Sequence, residues 1–131
     1  ATFFDTGDSY GTGALEGRSE ELLGRFRAQL APRDRRRVQL ATKLAAYPWR
    51  VTRGAMVGAC RASLARMGRE SMELVQLHWS TAGYAPWQEQ PMWDGLGDCL
   101  ELGLAGGVGV SNYGPQQLAK AQRRLAGRGL R

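Results

Sequence analysis

Short apolar runs and longer amphipathic stretches alternate along this chain. ATFFD (residues 1–5), VQLATK (38–43), ELVQLH (73–78) and GVGVSN (107–112) are compact apolar segments rich in β-branched residues, the pattern of strands buried in a parallel sheet. Between them the apolar positions recur at helical intervals. TRGAMVGACRASLARMG (52–68) sets Met56, Cys60, Ser63 with Leu64, and Met67 on one stripe and stops at Gly68, a residue suited to the left-handed conformation that ends a helix. SEELLGRFRAQL (19–30) opens with Ser19 as the expected N-cap and carries two acids in its first turn, where they complement the helix dipole. PMWDGLGDCLELG (91–103) and PQQLAKAQRRLAG (115–127) each enter at a proline, Pro91 and Pro115, a position where the missing N–H leaves no bond unmade. The predicted order is βαβαβαβα.

Strands that alternate with helices run parallel and are joined by right-handed crossovers. A doubly wound sheet and a barrel both satisfy this, and the polar residues separate them. Asp5, Lys43, His78 and Asn112 each close a strand, at spacings of 38, 35 and 34 residues. In a (β/α)₈ barrel the active site is built from strand C-termini, and roughly 250 residues over eight units give about 31 per unit. A doubly wound fold concentrates its chemistry at one Gly-rich turn after the first strand. The expected fold is therefore a partial (β/α)₈ barrel of about four βα units, one domain over residues 1–131. A start at Ala1, inside an apparent strand, suggests processing, a fragment or a partial gene model. Four strands do not close such a barrel alone, so self-association of an open half-barrel is expected.

Composition narrows the partners. No apolar run reaches the 18 residues of a membrane span, and no secretory signal pattern is present, so no membrane partner is expected. Cys60 and Cys99 form no CxxC pair and are expected as reduced core thiols. With one histidine and no Cys/His cluster, no metal site is expected. The net charge of +6 invites a nucleic-acid reading. The arginines, however, sit on helix faces and connections such as RDRRR (33–37), without interleaved aromatic residues, so no nucleic-acid partner is expected. GTGALEGRS (11–19) lacks the spacing of a phosphate loop and reads as a flexible loop over the site.

Reducing a carbonyl requires hydride at carbon and a proton at oxygen. A tyrosine is a poor acid at its ordinary pKa of about 10, and a nearby ammonium improves it. A lysine facing a barrel interior needs a carboxylate to hold its charge, and a neutral histidine can donate to the substrate oxygen. Tyr10, Lys43, Asp5 and His78 form such a set, each at or just beyond a strand end. Taken singly, each has a structural reading: Asp5 as a cap, Tyr10 as a surface loop residue, His78 as a satisfied core residue, Ser111 and Asn112 as helix caps. Their joint placement favours chemistry. Lys43 and Lys120 are the only lysines among 18 basic residues, a small hint that position 43 needs an ammonium.

FFDTGDSYG, ATK, QLHW and GVSNY, in this order and spacing, resemble the aldo/keto reductase superfamily of NADP-dependent oxidoreductases. SEELLGRF and CLELGLAGGVGVSNY are similar to its plastid-type members from plants and algae. The resemblance covers essentially the whole chain. It implies an enzyme that reduces an aldehyde or ketone to an alcohol with NADPH, with Tyr10 as general acid, Lys43 and Asp5 tuning it, and His78 orienting the carbonyl. It further implies that Ser111 and Asn112, with Asp5, contact the nicotinamide end of the cofactor, that Trp79 and His78 border the substrate, and that the protein is chloroplastic, or otherwise cytoplasmic. Gly7 stands where the family usually has alanine and Ser80 where it commonly has proline, so looser loops are expected there. The later strands that supply a ring-stacking aromatic and the basic residues for the adenosine 2′-phosphate are not in these 131 residues. The alternative is an inactive or truncated barrel that binds nucleotide or acts as an interaction protein.

Overall fold

In a computed structural model, which describes residues 1–11 and 17–130, each predicted strand forms within two residues of its apolar run. They are β1 (Phe3–Asp5), β2 (Gln39–Leu44), β3 (Leu74–Leu77) and β4 (Val108–Val110). The helices are α1 (Arg18–Gln29), α2 (Pro32–Arg37), α3 (Arg53–Met67), α4 (Glu89–Glu101) and α5 (Pro115–Ala126), with a 3₁₀ turn at Pro86–Gln88. All four strands are parallel, in the order β1-β2-β3-β4. Strand order that simply follows chain order has no switch point, which separates the sheet from a doubly wound fold and matches half of a (β/α)₈ barrel.

Period-two alternation gives the sheet its two faces. Leu40 and Leu44 of β2 and Val75 and Leu77 of β3 are fully buried, in one core with Met56, Cys60, Leu64 and Met67 of α3 and Met92, Leu96 and Cys99 of α4. The stripe expected on α3 is the one that packs. Lys43 pairs in register with Gln76, and Gln76 with Gly109, so the alternate positions line the other face. Two glycines let neighbouring helices approach closely, α1 on α3 and α4 on α3. A Cβ at Gly24 would lie 2.7 Å from the Met67 backbone, and one at Gly95 would lie 2.5 Å from Met56 Cβ.

Several boundaries differ from expectation. Ser19 is not the N-cap of α1, because Gly17, at φ 77°, turns the chain two residues earlier. The Ser19 hydroxyl instead hydrogen-bonds Thr6 Oγ1 at 2.8 Å. RDRRR is part of a short helix, started at Pro32, rather than a plain connection. Arg35 Nη2 donates to the Ala28 and Leu30 carbonyls (2.6 and 3.0 Å) and so closes the end of α1. Helix α4 begins at Glu89, so Pro91 lies inside its first turn rather than at its entry, still where backbone N–H groups have no intrahelical partner. β1 is not buried as expected: Phe3 and Phe4 are 47% and 38% exposed, because β1 is an edge with β2 as its one strand neighbour among the described residues.

Charges join the helices. Glu20, fully buried, accepts from Thr42 Oγ1 (2.5 Å) and Arg66 Nε (2.6 Å). Asp94 and Asp98 on α4 receive Arg124, Arg53 and Arg128, and these guanidinium bonds hold both carboxyls below the usual range. Cys60 and Cys99 are free and buried, and the thiols meet across α3 and α4. The Cys60 sulfur together with burial pushes the Cys99 thiol far up. Among the described residues no helix is long and apolar enough to cross a membrane, and no three His, Cys, Asp or Glu side chains group as metal ligands.

Candidate active site

The backbone ladder between β1 and β2 continues past the strand ends, and this carries the loop after Asp5 over the sheet. Thr6 N donates to Ala41 O (3.0 Å), Lys43 N to Thr6 O (3.1 Å) and Asp8 N to Lys43 O (2.9 Å). Tyr10 N then closes a turn on Gly7 O at 3.1 Å. A Cβ on Gly7 would stand 3.3 Å from the Tyr10 ring, so the glycine seats that ring rather than merely loosening the loop.

Asp5, Tyr10, Lys43 and His78 come together at the C-terminal mouth of the sheet. Lys43 Nζ donates to Asp5 Oδ2 and to the Thr6 carbonyl, the latter at 3.3 Å. The ammonium lies 5.5 Å from the Tyr10 ring centroid. The Tyr10 hydroxyl is 3.4 Å from His78 Nε2, with the two rings edge to face at 5.2 Å. Burial, then the Lys43 charge, hold the His78 imidazole below its ordinary pKa against the opposing pull of Asp8 and Asp5. His78 is thus neutral at neutral pH.

Sequence reasoning missed three supports. Ser9 Oγ lies 3.2 Å from His78 Nδ1; when the hydroxyl donates there, Nε2 carries the ring proton and faces Tyr10. Gln76 Nε2 donates to Asp5 Oδ1 at 3.2 Å, filling the oxygen that Lys43 leaves free. Its signal was a polar residue between Val75 and Leu77, two positions before His78. Asp8, buried, accepts from Ala45 N (3.0 Å) and Arg50 Nη1 (2.6 Å), fastening the β1 loop to the segment after β2. Arg50 in turn covers the Tyr47 ring, 4.9 Å from its centroid.

Trp79 stands beside His78, ring centroids 4.9 Å apart, and donates from Nε1 to Tyr84 OH at 2.7 Å. Tyr47, stacked on Trp49, meets Trp79 edge-on, completing an aromatic wall. The segment after Trp79 is not loose at Ser80, whose hydroxyl donates to Glu89 Oε1 at 2.9 Å. Ser111 and Asn112 follow β4. Asn112 adopts φ 54°, a left-handed conformation that asparagine tolerates better than most residues. Its Nδ2 donates to His78 O (2.9 Å) and Ser111 Oγ (3.3 Å), leaving Oδ1 to accept from an incoming amide. The GTGALEGRS loop assignment rests on residues 12–16, outside the described residues.

A parallel (β/α)₈-type sheet with a phenol, an imidazole and an ammonium–carboxylate pair converging at its strand C-termini defines a class: part of a (β/α)₈ barrel with a cluster of ionisable side chains at its mouth. Within that class, the chain belongs to the aldo/keto reductase family, whose family model matches residues 1–128. The chain is 56% identical over 129 residues to the chloroplastic pyridoxal reductase of Arabidopsis thaliana, covering 97% of this chain and 35% of that protein. It is 32% identical over 114 residues to an aldo-keto reductase of Mycolicibacterium smegmatis, covering 87% of this chain and 36% of that one. Among solved structures, the aldo/keto reductase from Klebsiella pneumoniae in complex with NADP and acetate superposes with a TM-score of 0.72 at 29% identity, over 94% of this chain and 38% of that chain. A thermostable aldo-keto reductase in complex with the inhibitor epalrestat gives a TM-score of 0.76 at 22% identity, over 94% of this chain and 40% of that one. The chain spans little more than a third of the length of these relatives.

Proposed function

We propose that the protein is an NADPH-dependent oxidoreductase that reduces an aldehyde to an alcohol, with an aromatic aldehyde such as pyridoxal as its substrate class. The observation that carries this reading is the convergence of Tyr10, His78, Lys43 and Asp5 at one mouth. The 56% identity to a plant pyridoxal reductase and the aromatic wall of Tyr47 and Trp79 support the substrate class; the same relative supports a chloroplast location.

In this reading Asn112 Oδ1 and Ser111 hold the nicotinamide carboxamide, with Asp5 nearby. Their donor and acceptor set fits an amide, with Asn112 Oδ1 still open. When bound, NADPH supplies the hydride. His78 Nε2–H orients the carbonyl oxygen and Tyr10 donates the proton to it. Lys43, held by Asp5, stabilises the negative charge left on the phenol oxygen. Trp79 borders the substrate and limits water.

Following NADPH consumption at 340 nm with pyridoxal, for the unaltered chain and for Tyr10→Phe, tests the proposal. Tyr10→Phe is expected to lose at least about 100-fold in rate, the usual contribution of a positioned acid. Equal rates would remove Tyr10 from the mechanism. Retained NADPH binding without turnover in the unaltered chain would favour a nucleotide-binding or interaction protein, the reading that the open strand edges β1 and β4 support.

A further inference from the structure

We infer that Glu89, on the helix side of the sheet, is a positioning residue for His78 and Asn112, acting through a single carboxylate oxygen. The inference rests on the proposed site, and concerns what holds that site in shape.

Glu89 is the first residue of α4 and is 3% exposed. Its Oε1 accepts three hydrogen bonds: from Ser80 Oγ (2.9 Å), Thr81 N (2.8 Å) and Tyr113 OH (3.1 Å). Ser80 and Thr81 follow directly on His78 and Trp79, and Tyr113 follows directly on Asn112. One oxygen thus gathers the segments that leave β3 and β4. Burial pushes the Tyr113 phenol up, so it remains a donor, and its oxygen accepts from Trp93 Nε1 at 3.1 Å. Thr81 Oγ1, also buried, donates to Ala85 O at 2.9 Å and rounds off the loop that Glu89 holds.

The same two segments meet once more where Asn112 Nδ2 donates to His78 O. An asparagine in the left-handed region persists when its surroundings over-determine it, and the Tyr113 anchor supplies a second constraint beside the His78 carbonyl. Proline would stiffen the residue after Trp79 through its ring; here the Ser80 hydroxyl does so through Glu89.

Glu89 Oε2 is buried and without a hydrogen-bond partner among the described residues. All three donors therefore fall on the one oxygen that glutamine also offers. A carboxylate needed for its charge would not tolerate glutamine, whereas a carboxylate needed as an acceptor would.

The test reads the single imidazole and the Asn112 side-chain amide by heteronuclear NMR in the unaltered chain, Glu89→Gln, Glu89→Ala and Tyr113→Phe. Glu89→Gln is expected to leave both sets of signals in place. Glu89→Ala is expected to displace both and to speed hydrogen exchange of the Asn112 amide about tenfold or more, equivalent to one lost hydrogen bond. Tyr113→Phe, which leaves the carboxylate in place, is expected to shift the Asn112 amide while the protein still melts cooperatively, and it carries the test if Glu89→Ala does not fold. An unmoved Asn112 amide in Tyr113→Phe overturns the inference. So do unmoved signals in folded Glu89→Ala, and so does a Glu89→Gln spectrum as disturbed as that of the alanine variant. The readout is independent of turnover, so an inactive Tyr10 mechanism and a failed positioning role give different results.

Discussion

At the scale of single residues, the proposed mechanism requires His78 to be uncharged. Its folded pKa lies below the ordinary value of 6.5, first because it is buried and then because Lys43 is near. In the unfolded chain the ring binds its proton more readily, so the unfolded state gains protons first as pH falls. His78 therefore withdraws stability as pH drops from about 6.5 through the folded value. Protonation also removes the neutral ring from the mouth, so reduction is expected to fail along the same acid limb. Because the chain has one histidine, its imidazole signals give the titration midpoint directly. A midpoint above 6.5 would contradict both expectations. Tyr10, Lys43 and His78 were legible because each stands at a fixed offset from a strand end. Ser9 and Gln76 were not, since their partners lie 69 and 71 positions away.

At the scale of elements, the α3–α4 contact supports the sheet from behind. Met56 is fully buried and lies against Gly95. Gly95→Ala would place a methyl 2.5 Å from Met56 Cβ, well inside van der Waals contact, and overpacking of this kind costs about 1–3 kcal/mol. Met56→Ala leaves a cavity instead, at a cost of about 2–5 kcal/mol. Both are expected to lower the urea midpoint with little change in slope, and a Gly95→Ala midpoint equal to that of the unaltered chain would show that α3 and α4 can slide apart freely. The α3 stripe of Met56, Cys60, Leu64 and Met67 could be read directly, because burial on one face imposes a helical period. The start of α1 could not be read in the same way. Ser19 has the chemistry of a cap, yet Gly17 makes the turn and the serine hydroxyl is drawn to Thr6 across 13 residues.

At the scale of the whole molecule, four parallel strands leave β1 and β4 each with one neighbour among the described residues. β1 carries Phe3 and Phe4 half out of the core, and Val108 and Val110 of β4 line a hollow of about 410 Å³ with Leu118 and Leu125 of α5. Edges of this kind recruit further strands. We expect the chain to self-associate, giving a concentration-dependent mass in sedimentation velocity at micromolar protein. A single monomeric boundary across that range would show that the edges are blunted in solution.

The order of strands and helices, the α3 stripe and the four polar strand-closing residues follow from the sequence alone. Periodicity and turn chemistry are local properties, and a strand end fixes where its last side chain goes. Tertiary structure decided which oxygen of Asp5 meets Lys43 and which meets Gln76, that Asp8 is shared with Arg50, and that Glu89 joins the loops carrying His78 and Asn112. Those pairings join residues distant in the chain, and a polar side chain has many possible partners until the sheet and helices bring one within hydrogen-bonding distance.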